Sequence, residues 1–174
     1  MKNAVLKVLE ERRSVRSYQN KQVEKETLDA ILTAGTYAAT GMNRQSPIIV
    51  AVQDAETIKT LSAMNASAMG REGSDPFYGA PTVVIVLADP NVRTHVEDGS
   101  LVIGNMMNAA FSLGVDSCWI HRAKEMFACD EGRALLKKWG IEGEYVGVGN
   151  LILGYREGDL PPVRPRKENY IYYV

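Results

Sequence analysis

The stretch TVVIVLAD, residues 82–89, places six apolar residues in a row, and four of them are β-branched. Such a run is far shorter than the ~18 residues that a membrane helix needs, and it is typical of a strand buried on both faces. The runs PIIVAVQD at 47–54 and EYVGVGNLILGYRE at 144–157 predict two more buried strands. DSCWIHR at 116–122 predicts a short strand or a loop.

The run EYVGVGNLILGYRE contains glycine at three positions, Gly147, Gly149 and Gly154. The chain has no P-loop, no G-x-G-x-x-G and no G-x-S-x-G motif that would give these glycines a role in catalysis or nucleotide binding. Glycine inside a strand commonly marks the close approach of another segment. We therefore expect the three glycines to allow tight packing against the sheet.

Helical periodicity appears between and around the predicted strands. A first helix has Asn3 as its N-cap and reaches about Arg13, a second follows Val23, and a third is capped by Asp54. Two further helices are predicted at 97–113 and 130–139. Because helices alternate irregularly with three or four strands, and no repeat or linker divides the chain, the sequence predicts one α+β or α/β sandwich.

The proline-rich stretch 161–174 is predicted to be an extended C-terminal tail of a single domain that spans 1–174. Its last five residues, 170–174, are mostly aromatic, which is unusual for a loose end. One expectation is that they add a strand to a sheet edge, in their own subunit or in a partner. The alternative is that they fold over the core of their own chain.

Positive charge is concentrated at the two ends of a nearly neutral chain. The 174 residues carry a formal net charge of −1, which provides no global basic field for nucleic acid or membrane. Residues 1–20 have a net charge of +3 and residues 161–174 of +2, whereas the 140 residues between them have −6. If the two ends meet in space, they form one anion-binding site.

The N-terminal share of this charge lies in ERRSVRSY, residues 11–18, at the first break in the helical pattern. In an extended segment Arg12, Ser14 and Arg16 point to the same side. Guanidinium groups bind phosphate through paired hydrogen bonds, and a serine hydroxyl adds a short donor. The alternative is a solvated helix end, and spacing alone does not exclude it.

A second basic pair lies near the other end of the chain, in VRPRKE. Pro165 favours extended backbone at Arg164, so that Arg164 and Arg166 project together. Two such pairs, one at each end of a chain that is acidic between them, favour an anion site over idle surface charge. The residues themselves do not identify the anion.

A third candidate is the segment AATGMNRQSP, residues 38–47, which breaks the pattern after the second helix. Thr40, Asn43 and Gln45 supply hydroxyl and amide groups beside a turn that we expect Gly41 to permit. Such groups can bind the polar edge of a heteroaromatic ring. An ordinary connection between a helix and a strand is the alternative.

Other chemistry finds little support in the sequence. Cys118, His121 and Cys129 do not have the spacing of zinc ligands, so no metal site is predicted. Two cysteines do not form a disulfide framework, and no signal peptide is recognisable, so a soluble cytoplasmic protein is expected. No nucleophile has a dedicated base. Anion-binding groups without a catalytic constellation indicate that a cofactor carries the chemistry.

Three segments in order, RRSVRSY, AATGMNRQSPIIV and DGSLVIGNMMNAAFSLGVDSCWI, resemble the FMN-dependent nitroreductase family. GAPTVVIVLAD, GNLILGY and the Arg-x-Arg tail fall in the family's order too, so the chain resembles a short member over nearly its whole length. The resemblance implies an α+β three-layer sandwich, with a central, mostly antiparallel sheet flanked by helices. It also implies an intertwined homodimer with FMN at the subunit interface.

The resemblance implies a set of cofactor contacts but no catalytic side chain. The phosphate and ribityl chain are expected at the two basic ends, and the flavin ring at the 38–47 loop, at the 118–122 segment and at Asn65, which matches an asparagine that binds the pyrimidine edge. Ala39-Thr40 stands where the family commonly has Pro-Ser. The implied cofactor-binding residues are Arg12, Arg13, Ser14, Arg16, Thr40, Asn43, Gln45, Asn65, Trp119, Ile120, His121, Arg164 and Arg166.

The implied activity is that of an FMN-dependent oxidoreductase. NAD(P)H reduces the bound flavin, and a nitroaromatic or a quinone then reoxidises it by a ping-pong mechanism. Three alternatives stay open: a different electron donor such as ferredoxin, a non-catalytic flavin-binding module, and a structural dimer with idle basic ends. His121 is expected either to border the substrate pocket or to be an ordinary packed or surface histidine.

Overall fold

The central strand of the protein is β2, Thr82–Ala88, as the apolar run predicts. The structure, a computed structural model, describes residues 3–174. Every residue of β2 is buried, because β1, Pro47–Val52, and β4, Val146–Gly154, pair with its two edges. β3, Asp116–Ile120, pairs with the far edge of β4. The sheet therefore has the order β1-β2-β4-β3, and all neighbouring strands are antiparallel.

Helices cover both faces of the sheet. Side chains of β2 alternate between two apolar cores, because successive residues of a strand point to opposite faces. Val83 and Ile85 pack on one face with α3, α5 and α6, whereas Val84 and Val86 pack on the other with α2 and α4. The helices are α1 (Ala4–Glu11), α2 (Lys25–Thr36), α3 (Ala55–Ala68), α4 (His95–Ser112), α5 (Ala123–Ala128) and α6 (Asp130–Lys138).

This architecture confirms the predicted three-layer α+β sandwich with a central antiparallel sheet. The predicted caps are confirmed, because the Asn3 side chain accepts a hydrogen bond from Leu6 N and that of Asp54 accepts one from Thr57 N. The first helix is shorter than predicted, because Arg12 leaves the helical conformation at φ −53° and ψ 136°. The short helix α5 was not predicted from the sequence.

The predicted close packing at the β4 glycines is confirmed. A Cβ atom on Gly149 would lie 2.7 Å from the Trp119 ring, and one on Gly154 would lie 2.8 Å from the Tyr18 ring. Either methyl group would force the neighbouring ring to move. The glycines therefore admit segments that lie directly on the sheet.

The C-terminal tail leaves the body of the chain. Tyr172 is 77% exposed and Tyr173 is 93% exposed, so the expectation that the tail folds over its own core is wrong. The tail forms no strand within the described part of its own chain, which also excludes pairing with its own sheet there. Strand addition to a partner stays a prediction. None of the helices in the described residues is both long and apolar enough to cross a membrane.

Candidate functional site

The basic segment 12–18 runs along the outer edge of β3. Ser14 forms a parallel bridge with Ser117, and Val15 N donates a hydrogen bond to Ser117 O over 3.1 Å. Val15 is 3% exposed and Tyr18 is 8% exposed, so these two side chains anchor the segment in the core. Ser14 and Arg16 are more exposed than Val15 between them. The alternating pattern inferred from the sequence thus leaves the polar side chains at the surface.

The two basic ends of the chain line one cavity of about 850 Å³, which we call the arginine cavity. Its N-terminal wall is the end of α1 and the following segment, and its C-terminal wall is the proline-rich stretch that begins at Pro161. The prediction that the two ends meet is confirmed. The polar residues that line the cavity are Glu10, Arg12, Arg13, Ser14, Arg16, Arg164 and Arg166.

The guanidinium groups of this cavity are incompletely paired. Arg12 Nη1 and Arg13 Nε are buried and have no hydrogen-bond partner within residues 3–174. Arg13 is held in place, because its Nη1 donates to the carbonyls of Glu10 and Arg12, each over 2.7 Å. Burial lowers the pKa of Arg12 from its usual value, Cys118 raises it, and the charge of Arg13 lowers it further. An anion bound here would therefore relieve the repulsion between two half-buried positive charges.

A second cavity of about 470 Å³ lies beside the first, at the end of β3, and we call it the β3-end cavity. Arg16 lines both cavities, and its Cζ atom lies 5.9 Å from the centre of the Tyr78 ring. Tyr78 has a φ of 54°, a left-handed conformation that is strained for an aromatic residue. Other residues that line this cavity are Arg71, Trp119, Ile120, His121 and Arg122.

The predicted residues Trp119, Ile120 and His121 therefore lie next to the arginine cavity. The His121 side chain is exposed, and the chain turns at Arg122, whose φ is 75°. Arg122 Nη1 donates to Glu125 Oε1 over 2.8 Å, and this hydrogen bond lowers the pKa of Glu125. The loop after β3 is thus folded back tightly onto the start of α5.

Asn65 does not line either cavity. Its side chain is 0% exposed, and its Nδ2 donates to the carbonyl of His121 over 2.7 Å. In this chain Asn65 therefore contacts the loop that borders the β3-end cavity rather than the cavity itself. Direct binding of a pyrimidine edge by Asn65 stays a prediction.

Thr40, Asn43 and Gln45 lie in the loop of residues 40–46, before the opposite edge strand β1. Three strand spacings separate β1 from β3, about 14 Å at ~4.8 Å per spacing. Thr40 Oγ1 accepts a hydrogen bond from Gln45 N over 3.2 Å, and Gln45 Nε2 donates to Asn43 Oδ1 over 3.1 Å. The chain alone therefore does not bring these residues to the arginine cavity.

The 40–46 loop is strained, and the buried carboxylate of Asp98 in the first turns of α4 holds it. Met42, Asn43 and Gln45 have φ values of 54°, 54° and 49°. Asp98 is 3% exposed and accepts a hydrogen bond from Gly41 N over 2.9 Å at one end of the loop. At the other end the Ser46 hydroxyl lies 3.5 Å from Asp98 Oδ2.

Gly41 has a different role from the one expected from the sequence. Its φ is not positive, and the left-handed residues of the turn are its neighbours. A Cβ atom on Gly41 would lie 2.4 Å from Thr94 Oγ1, so the glycine is needed for close contact with the start of α4. Thr94 Oγ1 also donates to Asp98 Oδ2 over 3.0 Å, which ties this contact to the same carboxylate.

Sequence reasoning missed Arg71, Tyr78 and Asp98. Arg71 and Tyr78 lie at the two ends of one loop, and nothing in their spacing indicated a cavity. Asp98 lies in the first turn of α4, where an acidic residue is ordinarily exposed. Within residues 3–174, no group of three or more His, Cys, Asp or Glu side chains is arranged to hold a metal ion.

Known proteins share both the sequence and the fold. A nitroreductase with bound FMN from Bacteroides fragilis superposes with a TM-score of 0.92 at 32% identity, covering 99% of this chain and all of that one. A nitroreductase with bound FMN from Desulfitobacterium hafniense gives 0.89 at 27% identity, with 100% of both chains covered.

A relative from Archaeoglobus fulgidus, provisionally named an NADH dehydrogenase/NAD(P)H nitroreductase, is 30% identical over 158 residues. The match covers 86% of this chain and 84% of the relative. Residues 9–155 match the family described as the Nitroreductase family. That range contains the basic segment, the 40–46 loop, the whole sheet and the loop after β3. The chain therefore belongs to the nitroreductase family.

Proposed function

We propose that the protein is an FMN-dependent oxidoreductase. The observation that carries this proposal is the pair of buried guanidinium nitrogens, Arg12 Nη1 and Arg13 Nε, that have no partner within residues 3–174. The FMN phosphate is a dianion near neutral pH, and charge-assisted hydrogen bonds from arginine match it well. Ser14, Arg164 and Arg166 line the same cavity and would complete its binding.

The β3-end cavity is the proposed place of the flavin ring. Arg16 lines both cavities, so one side chain can contact the phosphate side and the ring side of a single ligand. A positive charge near the polar edge of the ring favours the reduced, anionic cofactor. When bound, FMN supplies hydride transfer between a donor and an acceptor. The chain's own residues would bind the cofactor and orient it.

The site is proposed to be completed by a second copy of the chain. Thr40, Asn43 and Gln45 lie at the sheet edge opposite the arginine cavity, and their loop is held in a strained conformation. In an intertwined dimer this loop would pack against the flavin of the partner subunit. Apolar side chains that a second copy would cover are exposed on α1, on α4 and in the tail: Val5, Leu9, Val96, Leu101, Ile171 and Tyr173.

NAD(P)H is the proposed electron donor, and a nitroaromatic or a quinone is the proposed acceptor. The donor and the acceptor would bind in the same cavity in turn, as a ping-pong mechanism requires. No side chain is assigned as an acid or a base, because hydride transfer to and from the flavin requires mainly positioning. The exposed His121 lines the β3-end cavity and is proposed to border the substrate there, with no role in the chemistry.

The visible spectrum of the purified protein tests the cofactor assignment. We expect flavin absorbance, or its appearance on titration with FMN. A protein without flavin that also takes up no FMN would contradict the proposal. Arg16→Ala and Arg166→Ala variants should bind FMN more weakly, whereas unchanged affinity would favour idle basic ends.

Rapid mixing of the FMN-bound protein with NADH or NADPH then tests the donor. Bleaching of the flavin by either nucleotide, followed by recovery of the absorbance with a nitroaromatic or a quinone, is the expected result. No bleaching by either nucleotide would favour another donor such as ferredoxin. Bound FMN that no donor and acceptor can turn over would instead indicate a non-catalytic flavin-binding module.

A further inference from the structure

Two asparagines lie completely buried beneath the loop that follows β3. Asn65 on α3 and Asn150 on β4 are both 0% exposed. Asn65 Nδ2 donates to the carbonyl of His121 over 2.7 Å, and Asn150 Nδ2 donates to the same carbonyl over 3.3 Å. Asn150 Nδ2 also lies 3.4 Å from the carbonyl of Ile120. One backbone carbonyl is thus held from two different elements of the fold.

The neighbours of both amide groups fix their orientation. Besides the carbonyls, each Nδ2 contacts the thioether of Met126, at 3.2 Å from Asn65 and 3.4 Å from Asn150. Since carbonyls and thioethers only accept hydrogen bonds, the NH₂ side of each amide must face them. Both Oδ1 atoms are left buried without a partner in the described part of the chain.

This arrangement is unfavourable for stability alone. A buried acceptor without a donor costs about 1–3 kcal/mol. An apolar side chain in place of either asparagine would remove one such Oδ1, while the His121 carbonyl would keep the other asparagine as a donor. Buried polar groups with such a cost commonly have a role other than stabilising the fold. The role of this pair must lie in what it holds, which is the backbone at His121.

Strand β4 is shaped around the same loop. A Cβ atom on Gly147 would lie 2.2 Å from the backbone of Ala123, and one on Gly149 would meet the Trp119 ring at 2.7 Å. The pairing of β2 with β4 shifts register at this point, between Val86 and Leu87. The sequence VGVGN of β4, residues 146–150, therefore combines two glycines that admit the segments on either side of the loop with an asparagine that binds the loop itself.

We propose that Asn65 and Asn150 are a pair of positioning residues that fix the backbone of residues 120–122 against the bound flavin. The proposal rests on the proposed function, because it takes the β3-end cavity as the place of the flavin ring. The two side chains act through the His121 carbonyl and need not touch the cofactor. They hold the loop where it reverses at Arg122, whose φ is 75°.

The test compares Asn150→Leu and Asn65→Leu with the wild type in three measurements. These are the melting temperature without FMN, the dissociation constant for FMN, and hydrogen exchange at the backbone amides of residues 121–123. Leucine has the shape of asparagine but cannot donate. In both variants we expect an unchanged or higher melting temperature, about tenfold faster exchange and about tenfold weaker FMN binding, the size of one lost hydrogen bond.

Two further variants make the comparison decisive. Asn150→Ser has a side chain too short to donate to the His121 carbonyl, and it adds no bulk. If the leucine variant does not fold, the serine variant should show the same faster exchange and weaker FMN binding. Gln53→Met is the matched control, because the Gln53 amide donates to the carbonyl of Val23 over 2.9 Å and lines neither of the two cavities. It should change neither FMN binding nor exchange at 121–123.

Three outcomes would overturn the proposal. Exchange and FMN affinity could stay at their wild-type values in the Asn150 variants. The second outcome is faster exchange and weaker FMN binding that only follow a lower melting temperature. The third outcome is weaker FMN binding by Asn65→Leu alone, which would indicate direct contact by Asn65. If the wild type binds no FMN, the proposed function fails, whereas exchange at 121–123 still tests whether the pair holds the loop.

Discussion

The arginine cavity and the 40–46 loop are both predicted to bind the cofactor, but the chain builds them in opposite ways. The cavity joins the two ends of one chain and leaves buried guanidinium nitrogens unpartnered. The loop is strained, yet its backbone and side chains are tied to one another and to Asp98. The region with unpartnered donors gains most hydrogen bonds from a ligand. The loop, whose polar groups already bind one another, contributes mainly its fixed shape.

Changes in the arginine cavity should affect ligand affinity far more than stability. The double variant Arg12→Gln/Arg13→Gln should bind FMN at least about 100-fold more weakly, because each charge-assisted hydrogen bond contributes about 1.5–3 kcal/mol. Its stability without FMN should stay equal or rise, since two neighbouring half-buried charges that repel each other are removed. Fluorescence titration and urea unfolding measure the two quantities.

The control for this variant is Arg93→Gln, because Arg93 is exposed and lines neither cavity. It should leave FMN affinity unchanged. Equal FMN affinity of the double variant and the wild type would show that the arginine cavity does not determine FMN binding.

Substitutions that free the 40–46 loop should affect the stability of the chain more than ligand affinity. Asp98→Asn should lower the free energy of unfolding by about 2 kcal/mol, because a buried charged acceptor with several donors is replaced by a neutral amide. Urea unfolding of the FMN-free protein measures this loss. The neighbouring Glu97→Gln, on the exposed side of α4, is the control and should change stability little. A stable Asp98→Asn protein would show that the loop keeps its shape without the carboxylate.

Arg16, which lines both cavities, should set the reduction potential of the cofactor as well as bind it. Arg16→Gln should lower the two-electron midpoint potential of bound FMN by about 30 mV, which corresponds to ~1.4 kcal/mol for a two-electron couple. The reason is the loss of a positive charge that favours the reduced state. Spectroelectrochemical titration measures the shift, and an unchanged potential would mean that Arg16 contacts only the phosphate side.

The smallest effect on folding is expected from the tail. Deletion of residues 170–174 should change the free energy of unfolding of the chain by less than about 0.5 kcal/mol, because these side chains are exposed. The same deletion should weaken the proposed dimer, which light scattering over a range of concentrations would detect. A large loss of folding stability without any change in assembly would show that the tail packs on its own chain in solution.

The sequence predicted the architecture well because three of the four strands, β1, β2 and β4, are apolar runs that have to be buried, whereas DSCWI of β3 left a strand or a loop open. β2 is the clearest case, since a run such as TVVIVLA suits only the centre of a sheet. The paired arginines also indicated an anion site, because charge of one sign at both ends of a chain is unusual. These predictions depend on composition and period, and both are visible without coordinates.

The burial of Asp98 and Asn65 could not be predicted from composition or periodicity. Each lies on a helix where a polar residue is normally exposed, and only the tertiary packing buries it. Asn150 differs from these two, because a lone polar residue in the apolar run GVGNLILG requires a hydrogen-bond partner in the core. A polar residue inside an apolar run therefore indicates a hydrogen bond in the core.

The bridge between Ser14 and Ser117 bears on the solubility of the protein without its cofactor. An uncovered edge strand offers free backbone groups to other chains, and proteins commonly cover such edges to avoid aggregation. Here the segment that covers β3 is the same one that carries the anion-binding arginines. Loss of FMN would loosen the cover of an apolar sheet edge, so we expect solubility on storage to follow cofactor occupancy.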